Sequence, residues 1–198
     1  SNIPYGLDNF INREMEISKI ENLLNPRNRR HLLAICGMGG VGKTALALKV
    51  AHRSIEKKEF DAYIWTTAKV SELHDKKIRK YNNSLSNLDD LLDTIAWVVG
   101  INTSALPFYE KQNMVLQQLE TRHGALIIVD NLESLDDKAG AEILQFLRDL
   151  VPHPSKVIIT SRRSMHGEGE VEVRLDGLNL DRTFELIKSE LGFKRILI

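Results

Sequence analysis

The stretch AICGMGGVGKTALALKV, residues 34–50, decides the fold, because it joins an apolar run to an amphipathic run through a glycine-rich turn. Residues 37–44 within it fit the pattern G-x-x-x-x-G-K-[ST] of a phosphate-binding loop. Glycines let successive backbone N–H groups point inward and leave room for a phosphate to approach. A helix that starts directly after the loop adds the partial positive charge of its N-terminus. The stretch therefore predicts a strand, a nucleotide-binding loop and a helix, in that order.

The loop supplies candidate residues for holding a nucleotide. Lys43 is expected to reach the β- and γ-phosphates, and the Thr44 hydroxyl is expected to ligate Mg²⁺. The sequence has no N-K-x-D motif, which reads guanine in many GTPases, so ATP or ADP with Mg²⁺ is the expected cofactor set. The candidate nucleotide-binding residues of the loop are Gly37, Met38, Gly39, Gly40, Val41, Gly42, Lys43, Thr44 and Ala45.

A second apolar strand, in ALIIVDNLES at residues 125–134, carries two candidate acids. It delivers Asp130 to its carboxyl end, where the carboxylate can hold Mg²⁺ through water. Glu133 lies just beyond the metal carboxylate and is a candidate for polarising an attacking water. A solvated loop acid or a charge at a helix start is the alternative interpretation of Glu133.

A third strand, in SKVIITSRR at residues 155–163, ends next to two arginines. A guanidinium at that edge can contact the γ-phosphate and report its presence, and Arg162 is the favoured candidate. Arg163 is interpreted as a surface residue. The candidate catalytic residues are thus Lys43, Asp130, Glu133 and Arg162, and the candidate metal ligands are Thr44 and Asp130.

The rest of the chain alternates between helical and strand patterns. Several strands are apolar throughout, which favours a parallel sheet covered on both faces, hence a three-layer α/β/α P-loop NTPase fold with a mainly parallel sheet. Residues 69–84 are polar and irregular, and the basic run within them is predicted to be a solvated loop. The predicted helices are 12–24, 43–58, 85–100, 109–122, 138–151 and 179–192, and the predicted strands are 31–36, 60–68, 124–130, 155–161 and 170–175.

Composition limits the classes of partner. The formal net charge of the 198 residues is zero, and we do not expect nucleic acid as a partner because its binding usually needs a basic face. No apolar run approaches the roughly 20 residues that span a bilayer, so no membrane partner is expected. The single cysteine, Cys36, suits a reducing compartment, and we expect a cytoplasmic protein.

Taken together, the motifs resemble the NB-ARC nucleotide-binding domain of the STAND class of signalling ATPases. The segments that carry this resemblance, in order, are NFINREMEI (9–17), GMGGVGKTALA (37–47), FDAYIWTTA (60–68), LIIVDNLES (126–134) and KVIITSRR (156–163). The resemblance implies a switch: ADP holds a closed form, ATP opens it, the open form assembles, and slow hydrolysis resets it. It also implies self-association through domains beyond this chain and a protein effector of unknown identity.

The resemblance also assigns residues and domains. Phe10 and Ile11 would contact the adenine, and Arg13 occupies the position of the arginine in the family's G-R-E-x-E stretch, although Asn12 replaces the usual glycine. Asn131 stands where the family has a second acid, which implies poor hydrolysis. The chain would comprise a P-loop domain at 1–175 and, at 176–198, the first helix of a truncated helical domain.

The sequence leaves two alternatives to the switch. One is an active AAA+-like motor or remodeller with faster turnover. Glu133 and the two arginines support it, with Arg163 as an arginine finger that would reach the nucleotide of a neighbouring subunit. The other is a small-molecule kinase, for which the sequence shows no evident acceptor pocket. A motor should turn over quickly when its substrate is present, whereas a switch should copurify with ADP and turn over slowly.

Overall fold

A computed structural model describes residues 1–5, 13–68, 84–165 and 170–177, together with the backbone of 71–74 and 77–80. The strands are β1 Leu32–Gly37, β2 Ala62–Thr67, β3 Ser71–His74, β4 Lys77–Lys80, β5 Ala125–Asp130, β6 Lys156–Ser161 and β7 Val171–Leu175. The helices are α1 Glu14–Leu24, α2 Lys43–Lys57, α3 Leu88–Val99, α4 Phe108–Glu120 and α5 Asp137–Asp149, and a 3-10 turn spans Leu132–Ser134.

Five strands form one parallel sheet in the order β2-β5-β6-β1-β7. The strand that leads into the phosphate-binding loop, β1, lies between two neighbours, since Ala34 is in register with Ile159 of β6 and with Glu172 of β7. Because all five strands run the same way, their carboxyl ends share one edge of the sheet, where ligands bind in open α/β folds. The last strand, β7, lies at one edge of this sheet.

Both faces of the sheet are covered by helices, which confirms the predicted three-layer fold. Alternate residues of β5 separate the two cores: Ile127 faces α3, α4 and α5, whereas Ile128 faces α1 and α2. Strands buried on both faces need apolar residues at every position, so β5 reads ALIIVD and is buried throughout. This burial fixes where each strand ends and therefore where the polar residues that follow it emerge.

One prediction from the sequence was wrong. Residues 69–84 were predicted to be irregular, but β3 and β4 within this range pair as an antiparallel hairpin, with Ser71 opposite Lys80 and Leu73 opposite Ile78. The prediction relied on polarity and on the lack of an apolar period. A two-stranded ladder needs neither, because its backbone N–H and C=O groups satisfy one another.

The outer edge of β2 is covered by the first residues of the chain. The Asn2 side-chain amide donates to the Trp65 carbonyl at 2.8 Å, and its oxygen accepts from the Trp65 N–H at 2.7 Å. The Asn2 backbone N–H also donates to the Tyr63 carbonyl at 3.3 Å. Asn2 thus takes the hydrogen-bonding place that a further strand would take.

Two further predictions concern the C-terminal residues and membrane-spanning helices. The helix predicted at 179–192 lies outside the described residues, so the division into domains at 175 and 176 stays a prediction. In the described ranges, none of the helices combines the length and apolar character that crossing a membrane requires.

Candidate nucleotide-binding site

The phosphate-binding loop connects β1 to α2 at the carboxyl edge of the sheet. Gly42 precedes the helix with a φ of 98°, a left-handed conformation that residues with a side chain adopt at a cost. No side chain in the described part of the chain caps α2, and its first turn holds no acidic residue. The first N–H groups of α2 are therefore available to an anion, and the helix dipole favours one there.

The loop begins against the last strand of the sheet. A Cβ at Gly37 would lie 2.5 Å from the carbonyl oxygen of Leu175, so the backbones of β1 and β7 approach here as only glycine permits. Gly37 is in register with Leu175, the last residue of β7. The start of the phosphate-binding loop and the end of the sheet's last strand therefore pack directly together.

Lys43 places its positive charge inside the loop. Its Nζ donates to the carbonyls of Gly37 and Met38, both at 2.9 Å, and the residue is 8% exposed. Within the described residues no carboxylate pairs with this ammonium group. In the part of the chain that the structure describes, neutral carbonyls alone contact this charge, which a phosphate group can compensate.

Asp130 collects hydroxyl groups from three different elements. Its Oδ1 accepts from Thr44 of α2 at 2.7 Å and from Thr160 of β6 at 2.6 Å, and its Oδ2 accepts from Thr67 of β2 at 3.3 Å. Asp130 is 4% exposed, and these hydrogen bonds offset the cost of burying a carboxylate. The hydroxyls thereby fix the direction of the carboxylate toward the phosphate-binding loop.

The two predicted metal ligands, Thr44 and Asp130, are in direct contact. Their oxygens are hard donors, and Mg²⁺ is usually held by one or two carboxylates together with substrate phosphates and waters. The pair beside the loop fits that requirement. When bound there, Mg²⁺ would supply positive charge that neutralises the phosphates of the nucleotide.

Glu133 and Arg162 form an ion pair above the loop. Arg162 Nε lies 3.2 Å from Glu133 Oε1, and a Cβ at Gly39 would lie 3.5 Å from Arg162 Cζ. The arginine side chain is 64% exposed, whereas that of Glu133 is 10% exposed. Arg163 instead lies at the surface, 3.6 Å from the exposed Asp137. The structure therefore brings the predicted sensor, Arg162, into contact with the predicted base, Glu133. Arg163 contacts the surface residue Asp137 instead, as expected for a surface residue.

Asn131 makes the turn that follows Asp130. Its φ of 61° is left-handed, a conformation in which asparagine is enriched among residues other than glycine. Its backbone N–H donates to the Thr160 hydroxyl at 2.9 Å, and its side-chain amide donates to the Ser134 hydroxyl. The residue at this position thus shapes the turn that carries Glu133.

Arg13 is buried and reaches the phosphate-binding loop. Its Nη2 donates to the carbonyls of Val41 and Asp176, both at 3.0 Å, and its Nη1 lies 3.2 Å from Glu16 Oε1. The contacts that the structure shows are therefore to protein carbonyls and to one acid. Phe10 and Ile11, predicted to contact the adenine, lie outside the described residues.

Sequence reasoning missed two functional candidates, and it did not predict one contact of Arg13, which was already a candidate nucleotide-binding residue. The hydroxyls of Thr67 and Thr160 were not assigned to the site, and the link from Arg13 to the loop was not foreseen. Thr67 is the strand partner of Asp130, and Thr160 is the next-to-last residue of the neighbouring strand β6. A hydroxyl at the carboxyl end of a strand next to the metal-binding strand was the available signal.

Cys36 lies directly before the loop and is buried. Burial, together with the nearby Glu172 carboxylate, raises the pKa of its thiol to about 11. The thiolate form, which is the reactive one, is therefore scarce near neutral pH. Cys36 acts as a small apolar residue of β1.

Comparison with known proteins places the chain in a family. A family described as an ATPase domain predominantly from Archaea matches residues 10–189. The chain belongs to this ATPase family. A disease resistance protein of Arabidopsis thaliana is 28% identical to the ATPase domain over 171 residues, which are 81% of this chain and 17% of that protein. The chain thus spans less than a fifth of this curated relative.

Solved structures agree with the fold of the ATPase domain. The Aeropyrum pernix ORC1 protein in complex with DNA aligns with a TM-score of 0.65 at 20% identity, covering 94% of this chain and 51% of that one. AMPPCP-bound DnaA from Aquifex aeolicus aligns with a TM-score of 0.58 at 16% identity, covering 98% and 56%. The chain is a nucleotide-binding ATPase domain with a P-loop NTPase-like α/β fold.

Proposed function

We propose that this ATPase domain is an NB-ARC-type switch, which binds ADP or ATP with Mg²⁺ and hydrolyses ATP slowly. Its output is the assembly of a larger cytoplasmic protein through domains that follow residue 175. The likeness to a plant disease resistance protein over 81% of the chain supports the signalling role. The order of the motifs, from the phosphate-binding loop to Arg162, supports the NB-ARC type.

The ion pair between Glu133 and Arg162 is the observation that carries the proposal. Glu133 is the acid that follows the metal carboxylate by three residues, and Arg162 engages it at 3.2 Å. A carboxylate paired with a guanidinium is a poorer acceptor for the proton of an attacking water. The arrangement therefore favours slow hydrolysis and makes the γ-phosphate a competitor for the arginine.

Exchange of the arginine from Glu133 to a phosphate leaves behind a carboxylate that is mostly buried. Arg162 is 64% exposed but Glu133 is 10% exposed, so the exchange needs a phosphate contact that offsets the loss of a partner for a poorly hydrated carboxylate. A γ-phosphate offers the guanidinium a stronger, charge-assisted partner. Neither Glu133 oxygen accepts a hydrogen bond from the residues that the structure describes, so once Arg162 leaves, the carboxylate is available to act as a base. ATP would thus be sensed first and consumed later.

The alternative is a motor with fast turnover. Its support lies in the predicted roles of Glu133 and the two arginines and in the fold, since the aligned structures are 20% identical or less and show likeness of fold alone. One of them is described in complex with DNA, so DNA belongs among the substrates tested here. We propose nucleotide and an effector protein as the partners, and we expect no nucleic-acid stimulation.

The first experiment identifies the nucleotide that copurifies with the protein and then measures steady-state ATP turnover, with and without DNA. Copurified ADP and turnover far below about one per second support the switch. An empty site with turnover of roughly 1–10³ per second, or stimulation by DNA, would establish the motor instead. Lys43→Ala is the matched control, because it removes the loop charge and should abolish nucleotide binding.

Glu133→Gln separates the two roles of the ion pair. It should lower the remaining ATP turnover, because the amide cannot accept a proton from water. It should also tighten ATP relative to ADP, because Arg162 loses its carboxylate partner. Turnover equal to that of the wild-type protein would exclude Glu133 as the base.

A further inference from the structure

The guanidinium of Arg13 joins three parts of the chain that are far apart in sequence. It comes from the residue before α1, it holds the Val41 carbonyl in the phosphate-binding loop, and it holds the Asp176 carbonyl just after β7. One nitrogen, Nη2, donates to both carbonyls at 3.0 Å. Arg13 is 5% exposed, so solvent does not compete for these bonds.

The two carbonyls lie on either side of a tight contact between the loop and the last strand. Gly37 meets the Leu175 carbonyl so closely that no side chain fits between them. Asp176 is the next residue, where the chain leaves the sheet. The first residue of the loop, Gly37, therefore packs against the end of β7. Near the end of the loop, Val41 is linked through Arg13 to Asp176, the residue that follows β7.

We propose that Arg13 is a positioning residue that sets the loop for nucleotide and couples it to the path of the chain after β7. The inference rests on the nucleotide-binding function of the loop. Because one guanidinium nitrogen serves both carbonyls, a shift of Val41 toward or away from a phosphate changes the bond to Asp176 as well. Binding of nucleotide in the loop thereby changes the hydrogen bond at Asp176, where the chain leaves the sheet.

Glu16 completes the arrangement and explains how a buried cation is tolerated. Its carboxylate pairs with Nη1 at 3.2 Å and is 21% exposed, so Nη2 remains directed at the carbonyls. A planar guanidinium with several fixed donors suits this three-way contact, whereas an ammonium is a point charge. The geometry therefore calls for arginine rather than for any cation.

The test compares Arg13→Met with Arg53→Met in the full chain. Arg53, on α2, pairs at 2.9 Å with Glu14, the first residue of α1. It touches neither carbonyl, so it controls for the loss of an arginine that contacts the start of α1. The probes are a fluorescent ADP titration and hydrogen exchange of the segments 38–46 and 171–177, each with and without ADP. Circular dichroism establishes that each variant is folded.

ADP should slow exchange in both segments of the wild-type protein and of Arg53→Met. In Arg13→Met, ADP affinity should fall about tenfold, the loss expected for a buried hydrogen bond from a charged group. ADP should still slow exchange at 38–46 but no longer at 171–177. Affinity within about twofold of wild type, or an unchanged response at 171–177, would overturn the inference.

Two further variants keep the result interpretable. If Arg13→Met does not fold, Arg13→Lys takes its place under the same criteria, because it keeps the charge but not the fork of donors. If Lys43→Ala retains ADP, the loop assignment itself is wrong and the inference falls with it. Fast ATP turnover in the wild-type protein would defeat the switch and leave the role of Arg13 standing.

Discussion

Removal of the Thr160 hydroxyl should destabilise the protein and weaken its use of Mg²⁺. Thr160→Val keeps the shape of a side chain that is 1% exposed, so it changes hydrogen bonding with little change in packing. The hydroxyl donates to Asp130 Oδ1 at 2.6 Å and accepts from the Asn131 N–H at 2.9 Å. Both partners lose a bond at once.

The size of the effect follows from these two bonds. A hydrogen bond to a charged group contributes about 1.5–3 kcal/mol, and a neutral one about 0.5–1.5 kcal/mol. Asp130 keeps its bonds to Thr44 and Thr67, so its burial remains partly compensated. We therefore expect the free energy of unfolding to fall by about 2–4 kcal/mol. Asp130 should also be less well oriented, so that Mg²⁺ strengthens ATP binding less than in the wild-type protein.

Urea unfolding, followed by tryptophan fluorescence and by circular dichroism, measures the first effect, and ATP titrations with and without Mg²⁺ measure the second. Ser155→Ala is the matched control, because its buried hydroxyl accepts from the Ala125 N–H at 3.0 Å and does not touch Asp130. The control should cost about 1 kcal/mol and leave the Mg²⁺ effect intact. A loss below about 0.5 kcal/mol in Thr160→Val, with an unchanged Mg²⁺ effect, would refute this account of Asp130.

Three further predictions concern charged groups. Asp130→Ala should weaken ATP binding in the presence of Mg²⁺ more than ADP binding; equal losses in titrations of both nucleotides would remove its metal role. Arg162→Ala should reduce the preference for ATP over ADP, and an unaltered ratio of the two affinities would argue against a γ-phosphate sensor. Burial lowers the pKa of Lys156, whose Nζ donates to the carbonyls of Asn28 and Arg30, from the ordinary 10.5 to about 8. Between these pH values the unfolded chain binds the proton that the native state has lost, so the free energy of unfolding should rise with pH. Urea unfolding of Lys156→Met across the same interval should lack that rise, and a parallel rise in both proteins would contradict the assignment.

Much of the fold could be predicted because its strands are buried on both faces. Such strands are apolar throughout and end abruptly, so the positions of Asp130 and of Arg162 could be read from where the apolar runs stop. The glycines of residues 37–42 mark the loop for a different reason. Gly37 lies too close to the Leu175 carbonyl for a side chain, and Gly40 and Gly42 have positive φ. The helix predicted at 85–100 ends at Gly100, whose left-handed conformation suits glycine.

The contacts between distant segments could not be predicted. The hydroxyls of Thr67 and Thr160 reach Asp130 only because β2 and β6 flank β5, and strand order is not written in any local pattern. The bond from Arg13 to Asp176 spans 163 positions and joins a side chain to a carbonyl, which leaves no trace in sequence periodicity. The ion pair between Glu133 and Arg162 was missed because each residue was considered alone against the phosphate.

The place of Asn2 beside β2 has a consequence for handling the protein. An uncovered strand edge offers its N–H and C=O groups to any extended chain, including another copy of the same protein. Asn2 occupies those groups at Trp65 and at Tyr63. A version that starts at α1 would keep the phosphate-binding loop and every strand of the sheet, yet it would present β2 as a template for aggregation.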